Sequence, residues 1–100
     1  MPAYLIVTAV LHDREAFLAE YGAAAARLVQ SLGGRYRLMR PDGQVLEGEG
    51  PERVSVVIEE WPDRQTVLNF WNSPEYAEVR KMREGLADCR VVLVESEAPI

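Results

Sequence analysis

One hundred residues carry 48% hydrophobic and 27% charged side chains, with 11 Lys plus Arg against 16 Asp plus Glu and a formal net charge of −5. That is enough chain for one core and too little for two, and the composition is that of a folded domain, not of a disordered, collagen-like or coiled-coil chain. The acidic balance disfavours a phosphate backbone, so no nucleic acid is expected as partner, and no apolar run reaches the roughly 18–20 residues that span a bilayer, so no membrane is expected either.

Tyr4 to Val10 is β-branched, aromatic and almost wholly apolar, the pattern of a strand covered on both faces. Asp13 then reads as a helix N-cap. Phe17, Leu18, Tyr21, Ala24, Ala25, Leu28, Val29 and Leu32 recur at helical spacing until Gly33-Gly34 stops the helix. Arg35 to Met39 alternates charged and apolar residues and predicts a second strand with two unlike faces. From Arg40 to Glu52 the prolines and glycines predict a mobile hairpin connection, a candidate lid or merely a loop.

Arg53 to Glu60 supplies a third strand, and Trp61-Pro62-Asp63 turns the chain into a helix capped by Asp63. That helix breaks at Asn72-Ser73-Pro74, where Ser73 caps a second piece running to about Glu84. Gly85 ends it, and Cys89 to Glu95 is the last strand. The order βαββαβ predicts an α+β, ferredoxin-like domain over residues 1–100, a four-stranded antiparallel sheet with helices on one face. Leu5, Val7, Ala9 and Val57 hold one strand parity and Ile6, Val10, Val56 and Ile58 the other, so both sheet faces are apolar. A second copy of the sheet is expected to cover the face that the helices leave, giving a homodimer.

The runs Pro2-Ala3-Tyr4, Gly33-Gly34-Arg35-Tyr36, Val45-Leu46-Glu47-Gly48, Arg53 to Val57, Trp61-Pro62 and Ser73-Pro74-Glu75-Tyr76, followed by Arg80, Arg83 and Ala87, span almost the whole chain. Together they resemble a family of small bacterial domains of unknown function, number 1330, in the dimeric α/β barrel superfamily. Similar proteins carry Arg-Gly-Gly where this chain reads Arg40-Pro41-Asp42, and Phe-Pro where it reads Trp61-Pro62. The resemblance implies two ferredoxin-like subunits packed sheet to sheet, a plan shared with cofactor-free monooxygenases, muconolactone isomerases and haem-binding dismutases. It implies no particular activity.

The single histidine, His12, lies beside the first helix cap, where an imidazole can serve as general base, although surface capping is the commoner role of such a residue. Arg35, Arg37 and Glu47 fall on or after the second strand. A hairpin bringing them together would bind a carboxylate or polarise a carbonyl, and the ordinary alternative is an edge-strand salt bridge. Tyr36, Trp71 and Tyr76 are the candidate aromatic walls of a pocket between the sheet and the interrupted helix, under the Arg40 to Glu52 loop; core filling is their usual task. Arg80, Lys81 and Arg83 follow Glu75 and Glu78 in the order a helix dipole favours, with anion binding as the second reading.

One histidine and one cysteine, far apart in the sequence, predict neither a metal nor a cofactor site, and Cys89 has no partner for an internal disulfide, so a reducing cytoplasm is expected. Three classes of function follow: a cofactor-free enzyme acting on a small organic acid or enol, with His12 and Glu47 as catalytic candidates; a ligand-binding module using the same pocket; and a structural dimer. No nucleophile–base pair and no phosphate-binding glycine motif selects among them.

Overall fold

A computed structural model describes residues 1–97. Strands β1 (Ala3–Leu11), β2 (Arg35–Gln44), β3 (Arg53–Trp61) and β4 (Ala87–Glu95) form one sheet in the order β2-β3-β1-β4, and every neighbouring pair is antiparallel. The first helical stretch comprises α1 (Arg14–Ala16), a π-helical segment (Phe17–Gly22) and α2 (Ala23–Ser31). Helices α3 (Arg64–Trp71) and α4 (Pro74–Lys81) connect β3 to β4. This is the ferredoxin-like α+β arrangement expected from the element order.

The helix starts are set by side chains that satisfy otherwise orphaned backbone donors. Asp13 accepts from the Ala16 N–H at 3.0 Å, Asp63 from Thr66 at 2.7 Å, and Ser73 Oγ from Tyr76 at 3.0 Å, with Pro74 in the first turn of α4. Three boundaries differ from the sequence reading by more than one residue. Strand β2 continues through Pro41 to Gln44, with ladder irregularities between Tyr36 and Leu38 and between Arg40 and Gly43, so the first five residues of the expected loop are strand. The remaining turn is closed by the Val45 N–H donating to the Glu52 carbonyl at 2.8 Å. Helix α4 ends at Lys81 and passes through turns before β4 begins at Ala87.

Strand register decides which residues share a face. Ala3, Leu5, Val7 and Ala9 stand opposite Trp61, Glu59, Val57 and Ser55 on β3 and opposite Glu95, Leu93, Val91 and Cys89 on β4. This parity faces the helices. The core there gathers Ala3, Leu5, Val29, Trp61, Val67, Phe70 and Tyr76, with the Trp61 and Phe70 ring centroids 4.9 Å apart and those of Phe70 and Tyr76 4.5 Å apart. The other parity carries Ile6, Val10, Leu38, Val54, Val56, Ile58, Val92 and Val94, with Ile6, Leu38, Val92 and Val94 between 36% and 41% exposed. An apolar sheet face is thus open in the single chain.

Gly33 turns the chain with φ 108°, and the Gly34 N–H then donates to the Val29 carbonyl at 2.9 Å. A Cβ on Gly34 would stand 2.6 Å from two atoms of the buried Trp61 indole, so this glycine is required by close approach. Gly34→Ala is expected to destabilise the fold by about 1–3 kcal/mol through overpacking. Urea unfolding measures it, and an unchanged midpoint would contradict the tight seating of Trp61.

Candidate functional site

Residues Gly22 to Ala26 read Gly-Ala-Ala-Ala-Ala, and side chains this short do not reach the sheet beneath them. A cavity of about 230 Å³ results. Its helix side is lined by Phe17, Leu18, Tyr21, Gly22, Ala23, Ala25 and Ala26, and its sheet side by Val7, Ala9, Tyr36, Met39, Ser55, Val57, Glu59 and Cys89, with Arg83 entering from the turns after α4. About 150 Å³ of apolar space holds a benzene ring, so the volume suits a ring-sized molecule with substituents. The cavity therefore lies beneath the first helical stretch and not beneath the interrupted second one, because large aromatics fill the space under α3 and α4. Four of its lining residues belong to the π-helical segment, whose exit is marked by the Ala23 N–H donating back five residues to the Leu18 carbonyl. Such segments are rare and frequent at functional sites.

The register places the polar groups along this cavity. Glu59 and Tyr36 pair across β3 and β2 at the end nearest the Ala3–Trp61 row, while Ser55 and Cys89 flank Ala9 four residues further along the strands, about 13 Å away. Glu59 is 8% exposed, the one charged residue among the buried ones described. Its carboxylate accepts from Trp61 Nε1 at 3.1 Å. Desolvation raises its pKa to about 7, against a smaller lowering by the Trp61 hydrogen bond. Around it stand three phenols: Tyr21 and Tyr76, whose hydroxyls hydrogen-bond at 2.8 Å, and Tyr36. Burial raises the pKa of all three, so they remain neutral donors. The Arg83 guanidinium lies 5.3 Å from the Tyr21 ring centroid, and burial raises the pKa of the Cys89 thiol while the nearby Arg83 charge partly offsets the rise. The arrangement can hold an apolar ring and move a proton at the Glu59 carboxyl near neutral pH.

Of the residues singled out from the sequence, Tyr36 lines the cavity and Tyr76 reaches its edge through Tyr21. Trp71 packs on Tyr76, ring centroids 5.3 Å apart, and is not among the lining residues. Arg35 and Arg37 turn to the open sheet face, where Arg37 Nε lies 3.0 Å and Arg35 3.6 Å from the Glu60 carboxylate. They form the edge-strand ion pairs that the sequence offered as their ordinary role. Glu47 is exposed in the β2–β3 turn, beside Leu46 at 88% exposure, so the hairpin does not bring it to Arg35 or Arg37 and the turn does not cover the cavity. His12 is exposed, its Nε2 2.9 Å from Asp88 Oδ2. The sequence reading missed Glu59, although a carboxylate between Val57 and Trp61 on the buried parity of β3 was a legible break in an apolar pattern. Among the described residues no three His, Cys, Asp or Glu side chains gather as a metal site requires.

A four-stranded antiparallel sheet with helices on one face and a cavity beneath the first of them defines a ferredoxin-like α+β protein. The chain belongs to a family described as a domain of unknown function, DUF1330, whose model matches residues 2–96. A crystal structure of a protein of unknown function from Rhodopseudomonas palustris is similar with TM-score 0.78 and 23% identity, over 98% of this chain and 84% of that one. SnoaB, a cofactor-independent oxygenase from Streptomyces nogalater, is similar with TM-score 0.65 and 15% identity, over 99% and 96%. The Rv0793 protein of Mycobacterium tuberculosis gives TM-score 0.68 and 18% identity, over 98% and 97%. At these identities the likeness is one of fold. Among curated proteins no relative of this chain is found.

Because burial raises the Glu59 pKa in the fold, ionising it costs stability as pH rises from the ordinary 4.5 towards about 7. Its contribution is full below 4.5, falls through that window and is flat above it. Between pH 5 and pH 8 the wild type is expected to lose about 2–3 kcal/mol relative to Glu59→Gln, whose amide still accepts from Trp61. Urea unfolding across this range checks it, and parallel pH profiles of the two proteins would contradict the burial of the charge.

Proposed function

We propose that this protein is a homodimer joined through the open sheet face, and that each subunit binds a small, largely apolar organic acid or enol in the cavity under the first helical stretch and exchanges a proton with it at Glu59. The observation that carries the reading is a buried carboxyl, poised near pH 7, on the wall of an otherwise apolar cavity. A structural carboxylate is normally paired with a cation or exposed. Glu59 has only an indole N–H on it and phenols around it. That environment matches the base to a weak carbon or hydroxyl acid: the carboxylate takes the proton and becomes the carboxylic acid, and the enolate left behind is stabilised by the neutral tyrosine donors. His12 and Glu47 stand outside the lining, so proton transfer falls to Glu59 and Tyr36 serves as a wall.

The dimer is supported by the exposed apolar row of Ile6, Leu38, Val92 and Val94, a contiguous surface that soluble monomers rarely present. Among the described residues no helix is long and apolar enough to cross a membrane, and the unpaired Cys89 fits a cytoplasmic setting. SnoaB, of the same fold, is a cofactor-independent oxygenase, and side-chain acid–base chemistry on an organic substrate fits that precedent.

Light scattering after gel filtration is expected to give twice the monomer mass for the wild type and the monomer mass for Ile58→Arg, which places a charge in the centre of the open face. A monomeric wild type overturns the dimer. For the site, small enolisable acids that raise the melting temperature are expected to take up deuterium from solvent at the acidic C–H, about 10²–10⁴ times more slowly with Glu59→Gln. Binding without exchange identifies a ligand-binding module; the absence of any binder leaves a structural dimer.

A further inference from the structure

Helix α4 and the turns after it present two arginines in the same unusual way. Arg80 lies over the Trp71 ring with its guanidinium carbon 4.8 Å from the centroid and 5.8 Å from that of Tyr76, and Arg83 lies 5.3 Å from the Tyr21 centroid. Stacking satisfies the faces of both guanidinium planes and leaves their N–H edges to other partners. Neither arginine is in an ion pair among the described residues, whereas the adjacent Lys81 is engaged with Glu78 at 3.1 Å. Both line an open recess of about 410 Å³ together with Glu84, Ala87, Asp88 and Cys89. Asp88 is already held by His12 at 2.9 Å, and Glu84 pairs with neither arginine.

The recess is continuous with the cavity: Arg83 and Cys89 line both. Apolar walls on one side of Arg83 and a polar mouth with a second guanidinium on the other describe an amphipathic occupant. We infer that the Arg80–Arg83 recess is an anion subsite, and that the ligand is a carboxylic acid whose apolar body fills the cavity while its carboxylate lies against the two guanidinium edges. This rests on the cavity being a ligand site, and it narrows the ligand to a molecule with its acid group at one end. In a chain of net charge −5 an anion is repelled at long range, so capture depends on this local pair. The half-charge at the C-terminal end of α4 and the Glu84 and Asp88 carboxylates act against the anion, which is why one arginine alone would hold it poorly.

The test uses matched acids and amides, 3-phenylpropionate with 3-phenylpropionamide and 2-naphthylacetate with 2-naphthylacetamide, titrated into the wild-type protein and followed by amide chemical shifts. Each acid is expected to bind at least about tenfold more tightly than its amide at low ionic strength, the gap closing as salt is added. In Arg80→Gln, an exposed position that folding tolerates, the acid should lose that advantage, and Arg83→Lys should retain part of it because charge remains while the planar fork is lost. Acid and amide binding equally, with shifts at Val7, Val57 and Tyr21, would overturn the anion subsite and leave the cavity reading standing. Acid preference that survives Arg80→Gln, or shifts centred on Arg35 and Arg37, would also overturn it. If no probe shifts the cavity residues, the cavity reading falls and the subsite with it.

Discussion

The gap between a run of very small helical residues and the sheet is the constraint on which the rest of this molecule depends. Gly22 to Ala26 carry at most a methyl group each, yet the strands below keep full-sized side chains at Val7, Val57 and Met39, so neither layer fills the space between them. Protein interiors are otherwise packed to crystal density, and a void of this size forfeits contact energy that an extra methylene or two would recover. A sequence that leaves it open, and borders it with a π-helical segment, forgoes that packing and keeps an unfilled apolar space between helix and sheet.

The electrostatics follow from that gap. A carboxyl on the wall of an apolar cavity is deprived of water, and with only one indole N–H in compensation it favours its neutral form at a pH where a surface glutamate is fully ionised. The tyrosines obey the same logic from the other direction: burial keeps their protons on, so they are donors at any physiological pH. Positive charge is kept apart from Glu59. Had Arg83 turned inward to pair with it, the carboxylate would be an inert ion-pair partner; instead the guanidinium lies over the Tyr21 ring. Along the strands Glu59 and Cys89 stand about 13 Å apart, so the carboxyl and the thiol mark two chemically distinct ends of the cavity.

The aromatic ladder of Trp61, Phe70, Tyr76 and Trp71 ties these features to the fold's stability. Trp61 is at once the largest fully buried side chain, the reason Gly34 has no Cβ and the donor that orients Glu59. Tyr76 belongs to the same core and extends it through its hydroxyl to Tyr21 in the cavity wall. The site is therefore anchored on rigid packing on one side and bordered on the other by a helical stretch with little side-chain mass. SnoaB, a cofactor-independent oxygenase, and the Rhodopseudomonas palustris protein of unknown function share this fold at 15% and 23% identity, so the scaffold alone does not fix a chemistry.

Much of this was legible in the linear sequence. The doubly apolar Tyr4 to Val10 run, the caps at Asp13, Asp63 and Ser73, and the glycine stop at Gly33-Gly34 are local signals, because alternation and capping act over a few neighbouring residues, and they determine element order and fold class. Glu59 and the alanine run were visible as letters but not as a site: the first becomes buried only when register puts it opposite Leu5, the second becomes a cavity only when helix and sheet are set at a fixed spacing. Arg37 and Glu47 show the converse. They are close in sequence and look like a pair, but Arg37 keeps the parity of Arg35, which pairs with Glu60 on the open face, and the extension of β2 to Gln44 carries Glu47 away to an exposed turn. Local pattern determined which elements form; which face each side chain occupies, and therefore which charge is stripped of water, is decided by strand pairing between residues some fifty positions apart, information that no short window of the chain contains.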